Sequence, residues 1–137
     1  MLIRLHISTL LLRLITGVIF ILHGYPKLAH PELFVAFFAN HGIPGGAGMI
    51  TFVGIVELLG GVLVFVGLLT RASAFLLVID MLVALFGVEL REGFALGAQF
   101  VTVLLTANVV LILLGAGFVS FDHWVKNHRY ILTRFLS

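Results

Sequence analysis

Residues 49–69 read MITFVGIVELLGGVLVFVGLL, an apolar run that is interrupted near its middle by Glu57. About 20 helical residues are enough to cross the hydrocarbon core of a bilayer, so this run can span a membrane. A charged side chain at the centre of a membrane helix is disfavoured by roughly 2.5–3.5 kcal/mol on insertion scales. Glu57 therefore predicts a polar site inside the membrane and not a plain anchor.

Three further apolar runs have a similar length, and each also carries a polar residue near its centre, namely Arg13, Asp80 or Asn108. Helices that are apolar nearly all round are typical of membrane spans. The fold class predicted is all-α, a membrane-embedded four-helix bundle formed by a single domain, residues 1–137. We place the spans at about 5–25, 48–69, 72–88 and 96–118.

The composition agrees with a membrane protein and excludes other classes. Hydrophobic residues make up 61% of the 137 residues and charged residues 10%, whereas soluble domains carry about 25% charge. The net charge of +2 comes from eight basic and six acidic residues. Proteins that bind nucleic acid cluster basic residues on one face, and so few charges do not indicate such a surface. Cysteine is absent, which excludes disulfides and covalent haem attachment.

The distribution of basic residues predicts the orientation. With four spans both termini lie on the same side of the membrane, and the positive-inside rule places the more basic side in the cytoplasm. We therefore expect both termini to be cytoplasmic, because their side holds five basic residues and the other side two: Arg4, Arg71, Lys126, Arg129 and Arg134 against Lys27 and Arg91.

Two segments are predicted to lie on the membrane surface. In residues 30–41, Phe34, Phe37 and Phe38 share one helical face, which suits a short helix at the outer interface. Residues 120–135 combine an apolar side with basic residues, which predicts an amphipathic helix on anionic cytoplasmic lipid.

The four central polar residues are predicted to meet at one depth. Arg13 lies 11 residues below Gly24, and Glu57 lies nine below Gly48, depths of roughly 16 and 14 Å at 1.5 Å per residue. We expect Arg13 and Glu57 to form a buried ion pair with Asp80 as a third charge. The alternative is a structural clasp that only fixes the register of the helices.

His23 and Lys27 form a second polar group, four residues apart at the outer end of the first span. The imidazole could hydrogen-bond a carbonyl or relay a proton, or the two could be an interfacial histidine beside a lysine that reaches water. The glycine pairs Gly17 with Gly24 and Gly54 with Gly61 are each seven residues apart, which predicts close helix packing. The histidine spacing favours no metal site.

The chain resembles the DoxX family of small four-helix membrane proteins over about residues 11–122. The resemblance depends on LLRLITGVIFILHGYPKL (11–28), Gly-Ile-Pro at 42–44, GIVELLGGVLVFVGLLTR (54–71) and LLGAGFVSFD (113–122). It implies a quinone-linked redox context in a bacterial or archaeal inner membrane. The third span, with Asp80, matches the family only loosely, so no role for Asp80 follows from the resemblance.

The leading hypothesis is a multi-pass membrane protein that binds a quinone or supports a redox enzyme that uses one. No electron carrier is expected in the chain itself, so redox activity would need a partner subunit or a bound cofactor. Expected partners are the bilayer, a redox enzyme subunit and a second copy of the chain. The alternatives are a structural or assembly subunit and a small proton-coupled transporter. The candidate binding residues are Arg13, His23, Lys27, Glu57, Asp80 and Asn108.

Overall fold

The computed structural model describes residues 2–91 and 96–125, and this part of the chain is helical with no strand. The elements, in chain order, are α1 (Leu2–Ala29), α2 (Glu32–Asn40), α3 (Gly46–Val66), α4 (Thr70–Ala84), a π-helical turn (Leu85–Glu89) that continues α4, and α5 (Leu96–Leu114). A further helical stretch covers 121–125. The predicted all-α class is confirmed.

Among the described residues, four helices are long and apolar enough to cross a membrane, which agrees with the four predicted spans. Their limits differ from the prediction by a few residues. The first helix continues through Pro26 to Ala29, whereas the prediction ended it at Tyr25. The fourth ends at Leu114 and not at Phe118, because Gly115 adopts a left-handed φ of 76° that stops the helix.

The closest packing in the bundle joins α1 and α3, which run antiparallel with their glycines in contact. A Cβ atom at Gly24 would lie 2.8 Å from the carbonyl oxygen of Gly54, and one at Gly61 would lie 2.9 Å from that of Gly17. Only glycine permits such an approach of two helix backbones. The packing role predicted for these four glycines is confirmed.

Helices α4 and α5 pack beside α1 and α3 and close the core. The buried apolar cluster that joins these helices contains, among others, Phe20, Val64, Leu77, Leu104 and Leu111. Large apolar side chains elsewhere on the four spans are exposed, for example Ile15, Leu59 and Val103. Such a surface fits contact with lipid, because soluble proteins rarely expose so large an apolar area.

The two ends of the bundle differ, and we name them by their contents. The α2 end holds the end of α1, α2, the start of α3, the π-helical turn and the start of α5. The terminal end holds the start of α1, the α3–α4 turn and residues 115–125. Helix α2 falls inside the predicted surface segment 30–41, whereas only 120–125 of the second predicted segment belongs to the described residues.

The orientation of these ends can be tested in a chain that has no natural cysteine. Ala47 at the α2 end and Ala72 at the terminal end are both exposed alanines near helix starts. We expect an impermeant thiol reagent to label Ala47→Cys but not Ala72→Cys in intact cells, and both after permeabilisation. Labelling of Ala72→Cys alone in intact cells would reverse the predicted topology, and labelling of both would indicate dual insertion.

Candidate functional site

A partly open cavity of about 250 Å³ lies in the α2 end of the bundle, between α1, α2, α3, α4 and α5. Four of the six predicted candidate residues line it, since His23, Lys27, Glu57 and Asp80 all reach its wall. Most of the remaining wall is apolar and includes five phenylalanines: Phe20, Phe34, Phe37, Phe38 and Phe100. The structure therefore brings a small polar group together with an aromatic lining.

Lys27 and Glu57 form an ion pair at this cavity, with the Lys27 Nζ donating to Glu57 Oε2. Both side chains are largely buried, with 12% and 4% of their surfaces exposed. A buried ion pair is costly to break by removing one partner, because the other charge then stays buried alone. The predicted partner of Glu57 was Arg13, and that prediction is wrong.

Arg13 lies at the terminal end, where its guanidinium donates to four backbone carbonyls. Its Nε donates to Val64 O at 3.0 Å and its Nη2 to Phe65 O at 3.0 Å. Its Nη1 donates to Ala116 O at 2.6 Å and Val119 O at 2.7 Å. Val64 O also accepts from the Gly67 N–H at 3.2 Å. Both α3 carbonyls lie at the negative end of the helix dipole, so they stabilise a cation.

Asp122 completes this terminal junction, which we define as Arg13, the turn 67–69 and residues 115–122. Its carboxylate accepts from the backbone N–H groups of Leu69, at 2.9 Å, and Thr70, at 3.2 Å. These are unpaired donors at the start of α4, so Asp122 caps that helix from a distant part of the chain. Arg13 and Asp122 thus join the end of α3, the start of α4 and the segment after α5 at this end of the molecule.

The register of the glycine pairs explains why Arg13 and Glu57 do not meet. Antiparallel pairing of Gly17 with Gly61 and of Gly24 with Gly54 places Glu57 beside Gly24, one turn from Lys27. Arg13 then lies past Gly61, beside the end of α3. The two seven-residue spacings are visible in the sequence and would have given this register, whereas depths measured from uncertain span ends did not.

Asp80 lines the cavity with a carboxyl group that has no partner in the described part of the chain. Its Oδ2 is buried and has no hydrogen bond to any described residue, and no ion pair of Asp80 is present in the described part of the chain. Buried polar atoms in native proteins are nearly always hydrogen-bonded, so such an atom needs an explanation.

His23 and Asn108 have different surroundings. The His23 ring stacks on Phe100 at 5.4 Å between ring centroids, with 25° between the planes, at the wall of the cavity. Asn108 is fully buried in α5, where its Nδ2 donates to Leu104 O at 2.8 Å. Neither Asn108 nor Arg13 is among the residues that line the cavity.

Part of the cavity was not foreseen from the sequence. The wall includes Phe100 on α5 and Val88 and Glu89 of the π-helical turn, none of which was a candidate. Turns of this type inside helices frequently mark functional sites, but no sequence signal identifies them. The phenylalanines of helix α2 form one wall of the cavity. The end of α2 is held by Arg91, whose Nη1 donates to His41 O at 2.8 Å.

Gly17, Gly24, Gly54 and Gly61 do not line this cavity. The backbones of α1 and α3 fill the space between them. The space that exists lies on the other side of α1 and α3, against α4 and α5, where phenylalanine and valine side chains form the wall.

The fold and this site define a multi-pass membrane protein, a four-span helical bundle with a polar group in an aromatic-lined cavity. The chain belongs to the DoxX family, which it matches over residues 8–90.

Three relatives illustrate what the chain is similar to. The chain is 40% identical over 119 residues to a Bacillus subtilis (strain 168) protein named "Putative oxidoreductase CatD", which covers 87% of each chain. It is 38% identical over 85 residues to an uncharacterised membrane protein of Mycobacterium tuberculosis, covering 61% of this chain and 52% of that one. It is 35% identical over 75 residues to an uncharacterised Haemophilus influenzae protein, covering 55% and 54%. No solved structure matches the chain.

Proposed function

We propose that this protein binds a quinone-type ring in the cavity at its α2 end and works as a quinone-linked component, or accessory subunit, of an inner-membrane oxidoreductase. The observation that carries the proposal is the cavity itself, which combines five phenylalanines with His23, Lys27, Glu57 and Asp80. The name of the Bacillus subtilis relative supports a redox role.

The size of the cavity fits one substituted ring. An apolar protein cavity of about 150 Å³ is enough to hold benzene, and this one measures about 250 Å³. Ligand pockets are usually apolar with a few polar groups that fix the orientation of the ligand, which is the composition found here. Any apolar chain attached to the ring would remain outside, among the lipid acyl chains.

The depth of the cavity also suits a ligand that arrives from the membrane. Glu57 lies 11 residues from the start of α3 at Gly46, or about 16 Å along the helix. The cavity therefore extends from the cover formed by α2 to about the middle of the bundle. Its wall includes Val83, which is 49% exposed on the lipid-facing side of α4, so the site is close to the bilayer.

The polar residues have separable roles in this proposal. The Lys27–Glu57 pair gives the cavity a charged edge while keeping both charges compensated. His23, held against Phe100, is placed to accept or donate a proton at the wall. A bound quinone supplies two-electron, two-proton chemistry, and the electrons would pass to or from a partner enzyme.

A pair of bulky substitutions on α4 tests the proposal. Ala84 lines the cavity, whereas Ala72 is exposed on the same helix at the terminal end. We expect a water-soluble quinone–hydroquinone couple to raise the melting temperature of the purified wild-type protein and of Ala72→Phe, but not of Ala84→Phe, whose added ring fills the cavity. A ligand at 100 times its Kd stabilises by about 2.7 kcal/mol, or several degrees in melting temperature.

The outcomes separate the alternative functions. No stabilisation of the wild-type protein by either redox form would contradict the proposal and favour a structural subunit. Equal stabilisation of wild type and Ala84→Phe would place the ligand elsewhere. Proton-dependent uptake of a solute into vesicles containing the protein, lost in Glu57→Gln, would identify a transporter instead.

A further inference from the structure

We infer that Asp80 makes the cavity selective for a ring that carries a hydroxyl group, so that the reduced dihydroxy form binds more tightly than the oxidised dicarbonyl form. The inference depends on the proposed function, and it names the form of the ligand and the residue that selects it.

The inference starts from the hydrogen bonds that the cavity leaves unmade. Lys27 and Glu57 satisfy each other, whereas Asp80 Oδ2 is buried without a partner in the described part of the chain. An unsatisfied buried polar atom costs roughly 1–3 kcal/mol, and more when charged. The Asp80 carboxyl group lines the cavity and accepts no hydrogen bond from the described residues, so a ligand that hydrogen-bonds this group gains affinity over one that cannot.

The chemistry of the carboxyl group decides which ligand that is. An ionised carboxylate only accepts hydrogen bonds, so it needs a donor, and a ligand hydroxyl donates while a ligand carbonyl does not. A protonated carboxyl both donates and accepts, and a hydroxyl again matches it on both counts. A hydroxyl therefore matches Asp80 in either state, whereas a carbonyl finds a donor only when the carboxyl group is protonated.

The position of Asp80 on α4 places it within reach of the ring. Asp80 and Ala84 are four residues apart and both line the cavity. Residues at that spacing have Cβ atoms about 5–6 Å apart on one helix face. A ring that rests against Ala84 can therefore direct a hydroxyl group to the carboxyl group one turn away.

Charge alone would also permit a different ligand, since three acids, Glu57, Asp80 and Glu89, and one lysine line the cavity. An aromatic ammonium ion could pair with Asp80 and contact the phenylalanine rings. Such a cation pairs with Asp80 only when the carboxyl group is ionised, whereas a hydroxyl group hydrogen-bonds it in either protonation state, so we favour the neutral hydroxyl donor. The cation is kept as an outcome of the experiment.

The experiment measures Kd, by thermal titration of the purified protein, for three ligands that share one methyl-substituted ring. These are a methyl-substituted hydroquinone kept reduced with dithionite, its quinone, and its dimethyl ether, which has no donor. The chain has no cysteine, so the quinone forms no thiol adduct and the reductant breaks no disulfide. We expect the hydroquinone to bind at least about tenfold more tightly than the other two, as one charge-assisted hydrogen bond allows.

Two matched acid-to-amide variants locate the effect. Asp80→Asn should reduce the preference for hydroquinone over quinone to less than about threefold, because an amide donates to a carbonyl as well as accepting from a hydroxyl. Glu32→Gln, an exposed acid of α2 that does not line the cavity, should keep the full preference.

Each remaining outcome has a definite meaning. Equal affinity for hydroquinone, quinone and ether in the wild-type protein would overturn the role of Asp80 and leave the proposed function standing. An unchanged preference in Asp80→Asn, or tighter binding of benzyltrimethylammonium than of hydroquinone, would also overturn it. Absence of binding by all three ring compounds would overturn both proposals. The wild-type series is decisive even if a variant fails to fold.

Discussion

Replacing Arg13 by alanine is expected to destabilise the detergent-solubilised protein by roughly 3 kcal/mol or more, because hydrogen bonds to a charged group contribute about 1.5–3 kcal/mol each. The guanidinium is only 2% exposed, and it donates to four carbonyls from two separate segments of the chain. Thermal unfolding should show a fall of roughly 6–12 °C.

Two further variants control this experiment. Arg13→Lys keeps the charge but not the planar fork of five donors, so an intermediate loss is expected. Arg4→Ala removes an exposed arginine from the same helix and should change the melting temperature little. A loss below about 1 kcal/mol in Arg13→Ala would show that water can replace the four carbonyl contacts, and that the terminal junction does not stabilise the fold.

Gly24→Ala is expected to cost roughly 2–3 kcal/mol, at the upper end for overpacking a tight interface. The new Cβ would lie 2.6 Å from the backbone N of Leu58 and 2.8 Å from the carbonyl oxygen of Gly54. Both are helix backbone atoms, so relief requires α1 and α3 to separate. Because Glu57 lies at the same contact, the Lys27–Glu57 pair should be disturbed as well, and ligand stabilisation should decrease.

Gly48→Ala is the matched control for this substitution. A Cβ atom at Gly48 meets nothing within 4 Å, and the residue lies in the first turn of α3. Alanine is favoured over glycine in helices by about 1 kcal/mol, so this variant should be neutral or more stable. If Gly24→Ala and Gly48→Ala unfold at the same temperature, the α1–α3 interface is more adaptable than its distances indicate.

The architecture could be predicted from the sequence because lipid imposes a simple rule. A span must be apolar over about 20 residues, so the four runs can be recognised from their length and composition. The ends are harder to predict, because Pro26 is tolerated inside α1 while glycines with positive φ stop α3 and α5. Where a helix ends depends on the backbone conformation of a few residues, and a hydropathy pattern carries no information on that conformation.

The candidate site was predicted in part. Glu57 and Asp80 were identified because polar residues in apolar runs are costly and need a reason. His23 and Lys27 were identified by their four-residue spacing at the outer end of the first span. The pairing was wrong because opposite charge and similar apparent depth do not define a contact. Only the register of two helices does, and here it depends on glycine contacts. Phe100 and the π-helical turn carry no sequence signal that separates them from ordinary apolar filler.

The four bonds of Arg13 also have a consequence for biosynthesis. Two of its carbonyl partners, Ala116 and Val119, are 103 and 106 positions later in the chain. At roughly 5–20 residues per second, the ribosome needs on the order of 5–20 s to reach them. During that time the first span holds a guanidinium without those two acceptors. A nascent chain that stops before α5 is complete therefore holds its guanidinium with only two of the four carbonyl acceptors, those of Val64 and Phe65.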